Sequence, residues 1–85
     1  MPDTLRDSIR AFLLENYLFT TNTAAIDWDD SLLGRGIVDS TGMLEVIMFM
    51  EESLGVKIKD EEMLPENLDS INKIALFVET HRNIH

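Results

Sequence analysis

The chain has 85 residues, no cysteine, 45% apolar residues and a formal charge of −9, from sixteen acids against seven bases. That length predicts a single domain, residues 1–85, with a modest core, because short chains bury proportionally little surface. Lack of cysteine excludes disulfides and thiolate metal sites, no apolar run is long enough to span a bilayer, and the negative charge disfavours nucleic acid and anionic membrane surfaces alike. The expectation is a soluble, cytoplasmic monomer without a basic-then-apolar leader. Acidity alone serves solubility, but it also favours partners with basic docking patches, which complementary charge steers into place.

A first helix is predicted to begin near Asp3 or Thr4, either of which can cap it. Leu5, Ile9, Phe12, Leu13 and Tyr17 recur at helical spacing, with Arg6, Asp7, Arg10 and Glu15 largely on the other side. Thr20-Thr21-Asn22-Thr23 prefers turns and ends the pattern. The stretch 20–39 is long for a connection. Ile26, Trp28, Leu32, Leu33, Ile37 and Val38 are predicted to fold it onto the core, with Gly34 and Gly36 turning the chain around Arg35. Within it, Asp27-Trp28-Asp29-Asp30-Ser31 superficially resembles a calcium loop. Leu32 stands where such a loop needs glycine, and Val38 where it needs a bidentate glutamate. The predicted role is a solvated turn capping a short helical stretch, and no metal site is assigned.

A second helix is predicted from Ser40 to Leu54, stopped by Gly55. A short third helix is predicted over Lys59–Leu64, interrupted by Pro65. Asp69 or Ser70 then caps a last helix carrying Ile71, Ile74, Ala75 and Val78, with Leu76 and Phe77 alongside, fraying at His81-Arg82-Asn83. The predicted fold is all-α: a small four-helix bundle of three longer helices and one short one, with a long loop between helices 1 and 2.

The second helix carries the candidate site. With Ser40 at zero and about 100° per residue, Met43, Val46, Ile47, Met50 and Leu54 fall between roughly 240° and 340°, a core stripe. Thr41, Leu44, Glu45, Met48, Glu51 and Glu52 fall between roughly 20° and 140°. Leu44 and Met48 either widen the core stripe or form an apolar docking patch rimmed by acids. Ser40 itself is either the capping serine of this helix or a hydroxyl available for modification, at a helix end that favours an anion. From residue 39 to 69 the acids Asp39, Glu45, Glu51, Glu52, Asp60, Glu61, Glu62, Glu66 and Asp69 face only Lys57 and Lys59. A serine hydrolase is not expected. Val38 stands where the Gly-x-Ser-x-Gly elbow requires glycine, and the histidines, His81 and His85, lie on the tail predicted to fray.

Taken together, these segments resemble the acyl and peptidyl carrier proteins. Asp39-Ser40 resembles their attachment motif, Glu45 and Glu51-Glu52 the acids of their second helix, Leu54–Glu62 the passage into the third helix, and Leu68-Asp69-Ser70-Ile71 the start of the last. The resemblance covers essentially the whole chain in the expected order. It implies a non-enzymatic carrier whose Ser40 holds a covalent 4'-phosphopantetheine arm donated by coenzyme A. Asp39 would position coenzyme A and its divalent metal at the phosphopantetheinyl transferase. Thr41, Leu44, Glu45, Met48, Glu51 and Glu52 would face partner enzymes, and the apolar interior would shelter an acyl chain. Ile37-Val38 before the motif, Thr41 after it and Pro65–Ser70 are more similar to stand-alone carriers of specialised pathways than to fatty-acid carriers. They imply an acyl or aminoacyl cargo loaded by an adenylate-forming ligase. The alternative is an unmodified acidic helical interaction module with the same surface and no arm.

Overall fold

Apolar residues at helical spacing account for most of the architecture. The computed structural model describes residues 4–82. Among them are α1 (Thr4–Leu13), α2 (Ser40–Ser53), a short α3 (Pro65–Leu68) and α4 (Ile71–Arg82), and no strand. The protein is an all-α small bundle with a long connection between α1 and α2, as its sequence predicts. Asp3, Asn83 and His85 lie outside the described residues.

In α1, Ile9 and Leu13 are fully buried, while Leu5 and Phe12, and Tyr17 just beyond the helix, pack partly against the core. The helix widens into a π-helical turn over Leu14–Leu18. A wider turn brings one extra residue to the inner face, and Leu14 is accordingly buried as well. The turn closes at Phe19, whose left-handed φ of 52° lets its own N–H and that of Thr20 donate to the Leu14 carbonyl. A polar seam joins α1 to α4, where Arg6 donates to Asn72 Oδ1 at 2.7 Å and pairs with Glu79.

The connection folds inward through Ile26, Leu32, Ile37 and Val38, all buried. Gly36, at φ +70°, makes the turn that brings the Ile37 and Val38 N–H groups back to the Leu32 carbonyl. The Asp27–Ser31 stretch is a pinned turn. Asp30 accepts the Asp27 N–H and pairs with Arg35, and Asp29 accepts from Asn72 Nδ2. Ser31 does cap the single turn that follows, accepting the Gly34 N–H at 2.9 Å.

The third-helix expectation is corrected. Lys59–Leu64 holds only a tight 3-10 turn, Asp60–Glu62, and the helix begins at Pro65 where the sequence placed an interruption. Proline at the first helical position gives up no hydrogen bond and starts with a suitable φ, so it opens helices more readily than it ends them. The choice of cap for α4 is also resolved. Ser70 Oγ accepts the Lys73 N–H at 3.1 Å, whereas the Asp69 carboxylate turns to the α1–α2 connection, taking the Ser31 hydroxyl and the Leu33 N–H. Ile71, Ile74, Ala75 and Val78 are fully buried. The predicted fraying at His81 is corrected too: α4 continues through Arg82, with His81 stacked on Phe77 and bonded to Glu62.

Candidate functional site

Ser40 is the first residue of α2 and is exposed. It is not the cap. Asp39 holds that position in extended backbone, its Oδ1 accepting the Gly42 N–H at 2.7 Å and its carbonyl the Met43 N–H at 2.9 Å. The capping role open to Ser40 in the sequence is therefore filled by its neighbour. The Ser40 hydroxyl has no hydrogen-bond partner among the described residues. The helix start thus carries a stabilising carboxylate and, one residue later, an uncommitted nucleophilic oxygen.

The two faces of α2 are as the wheel places them. Val46, Ile47 and Met50 are buried, with Met43 and Leu54 half-buried. Leu44 and Met48 are 58% and 55% exposed, so they do not widen the core stripe. Thr41, Glu45, Glu51 and Glu52 stand exposed around them. The carboxylates differ in freedom. Glu45 accepts from the Tyr17 hydroxyl at 2.5 Å, and Glu51 from the Ile58 N–H at 3.3 Å. Burial, then the bond to Glu45, pushes the Tyr17 pKa well above the ordinary phenol range, so Tyr17 stays a neutral donor.

Tyr17 explains a glycine as well. A Cβ at Gly42 would lie 3.3 Å from Tyr17 Cε1, from Val38 Cβ and from Asp39 Oδ1. Gly42 is buried, and its missing side chain lets Tyr17 of the π-helical turn close over the first turn of α2. This is the physical reason for a weak helix former three residues into the cap.

Two clefts flank the helix. One, of about 210 Å³, has Ser40 on its lining, with Met43, Leu44 and Ile47 of α2 opposite Met63, Leu64 and Leu68. It is mostly apolar, with Ser40 among its few polar neighbours. The other, of about 350 Å³, lies between the end of α1 and α2, where Phe12, Tyr17 and Phe49 meet Met48, Glu45 and Glu52. Phe12 and Phe49 stack there with centroids 4.2 Å apart. Sequence reasoning missed Met63, Leu64 and Leu68 as neighbours of Ser40, and Tyr17 as the partner of Glu45. Phe49 had a signal, since it falls at about 180° on the wheel, in the gap between the two stripes.

Among the described residues no three His, Asp or Glu side chains cluster to hold a metal ion, and no helix is long and apolar enough to cross a membrane. Compared with known proteins, the chain matches no family model and no curated protein.

Proposed function

We propose that the chain is a carrier protein that holds an acyl or aminoacyl group as a thioester on a 4'-phosphopantetheine arm at Ser40. One observation carries this reading: an exposed, unspent hydroxyl sits at the start of a helix whose outward stripe is apolar, rimmed by acids and open to partners. The residues fit the group. At the transferase, Ser40 Oγ would bond to the pantetheine-side phosphorus of coenzyme A as the pyrophosphate bond breaks, with adenosine 3',5'-bisphosphate leaving and the hydroxyl proton lost to a base of the transferase; no cap is lost because Asp39 keeps that role. Asp39 is itself exposed, and only Oδ1 is committed, which leaves Oδ2 for the transferase's divalent metal. When bound, the arm supplies a thiol on a long flexible tether. The chain's own contribution is to present the attachment point, dock partners and shield cargo.

Leu44 and Met48 give a partner adhesive apolar area, and Glu45, Glu51 and Glu52 orient it. The cleft between Ser40 and Met63–Leu68 is placed to take the apolar part of a cargo that folds back. The carrier works in a specialised biosynthetic pathway, is loaded by an adenylate-forming ligase, and is a cytoplasmic monomer.

Intact mass tests the reading. A broad-specificity phosphopantetheinyl transferase with coenzyme A should add one phosphopantetheinyl group, and Ser40→Ala should abolish the addition while the helical circular dichroism is retained. Unmodified wild type would favour the interaction module, and full modification of Ser40→Ala would overturn the site.

A further inference from the structure

His81 sits between two acceptors. Its Nδ1 lies 2.8 Å from the Phe77 carbonyl oxygen and its Nε2 3.0 Å from Glu62 Oε2. Neither a carbonyl nor a carboxylate can donate, so each ring nitrogen has to carry hydrogen. Only the imidazolium has both. A neutral ring would set a lone pair against one of the two oxygens and lose that contact. The ring is held in place by stacking on Phe77, with centroids 3.9 Å apart.

Among the described residues, charged groups line both sides of His81. Glu62 touches it from the 3-10 turn, and Lys59 lies just before that turn. Glu51 of α2 and Lys57 of the following segment line the groove on one side. Glu66 of α3 and Lys73 of α4 line the groove on the other. The bond to Glu62, followed by that to the Phe77 carbonyl, raises the His81 pKa above its ordinary value.

Glu62 is the hub of the next segment. Its Oε1 accepts the Lys59 N–H at 3.1 Å. Its carbonyl accepts the Leu64 N–H at 2.8 Å and Asn67 Nδ2 at 3.0 Å. Directly after it come Met63 and Leu64, which wall the cleft beside Ser40. The ring, the carboxylate, the turn and the cleft wall form one chain of contacts.

We propose that His81 is a pH-sensitive latch: as imidazolium it holds Glu62 and the Lys59–Leu64 segment against the bundle, and on losing its proton it releases the wall of the Ser40 cleft. The consequence for cargo retention rests on the carrier reading above; the latch itself does not. The direction follows from the raised pKa. The latch is fully closed below the ordinary histidine value of about 6.5 and opens as pH rises through the higher folded value. Once the ring is neutral it carries hydrogen on only one nitrogen and no longer attracts Glu62 as a charge, so the Glu62 carboxylate is held less firmly at the Lys59 N–H and Met63 and Leu64 lose part of their fixed lead-in.

Amide hydrogen exchange by NMR on the unmodified full chain tests this, with intrinsic rates divided out and the His81 midpoint read from its own ring protons. Protection at Lys59 and Leu64 should fall about threefold or more as pH passes that midpoint, while the Val46 amide in α2 stays constant. In His81→Gln, which cannot titrate, the step should vanish. Wild-type protection that is flat across the His81 midpoint, or an equal fall in His81→Gln, overturns the latch. Glu62→Gln gives a second arm, because it keeps an oxygen acceptor but removes the charge. It should move the His81 midpoint down toward the ordinary value, and an unmoved midpoint also overturns the proposal. None of these measurements uses the arm, so failure here and failure of the Ser40 mass shift are separate results.

Discussion

Met48 and Met50 stand two residues apart on α2 and should respond in opposite ways to truncation. Met50 is fully buried, whereas Met48 is 55% exposed. Alanine removes three heavy atoms from each. At about 0.8 kcal/mol per buried methylene-sized group, Met50→Ala loses about 2.4 kcal/mol of transfer energy. The cavity it leaves adds to that, giving about 3 kcal/mol within the usual range of about 2–5. A domain of this length has about 4–13 kcal/mol of stability in total, at about 0.05–0.15 per residue. Met50→Ala should therefore remove about a quarter to three quarters of it and lower Tm by about 12 °C or more. Met48→Ala leaves no cavity and gains slightly in helix propensity, so its cost should stay below about 1 kcal/mol. Met48→Ala should instead weaken binding to the phosphopantetheinyl transferase, which Met50→Ala should not do beyond its effect on folding. Urea melts by circular dichroism, paired with transferase affinity, measure both. Equal destabilisation by the two substitutions would refute the two-faced description of α2.

Other expectations address charge, the loop anchor and cargo. Glu45→Lys or Glu51→Lys should slow association with the transferase or loading enzyme, most strongly at low ionic strength, where exposed charges are least screened; association rates independent of salt would place docking elsewhere. Asp69→Ala strands the Ser31 hydroxyl and the Leu33 N–H that its carboxylate accepts, and should cost about 2–3 kcal/mol in urea unfolding. A change under about 0.5 kcal/mol would mean that water replaces the carboxylate without loss. For cargo, an adenylate-forming ligase should load the holo protein in an ATP-dependent competition among acids and amino acids. Efficient use by a malonyl transferase and fatty acid elongation enzymes, with ligases leaving it unloaded, would contradict the specialised role.

Periodicity made the bundle legible. The inward stripes of α1, α2 and α4 can be read from spacing because burial of a helix repeats every three to four residues. Gly55 ended α2 because a left-handed residue has few occupants other than glycine, and its φ is +73°. The polar contacts had no such period. Asp69 reaches Ser31 across 38 residues, Tyr17 reaches Glu45 across 28, and His81 reaches Glu62 across 19. Each pair is set by how the elements dock, which spacing within one element cannot encode. Pro65 misled for a different reason: proline both stops and starts helices, and only the backbone on either side distinguishes the two. The π turn at Leu14–Leu18 was illegible because one extra residue per turn shifts the apolar period only locally.

The order Asp39 then Ser40 has a mechanical logic that either residue alone would lack. A capping side chain is held in a hydrogen bond to the first turn, and removing it costs about 1 kcal/mol. Were Ser40 the cap, attaching any group to its oxygen would disturb the turn that positions it. With Asp39 bonded to Gly42, the turn is already secured before the serine is reached. The Ser40 oxygen can then change chemical state while the backbone beneath it stays the same. The same separation runs along α2. Buried Val46, Ile47 and Met50 keep the helix in place, while Leu44, Glu45 and Met48 stand exposed on its other face. On the carrier reading proposed above, that division would let each partner meet the same surface whatever Ser40 carries.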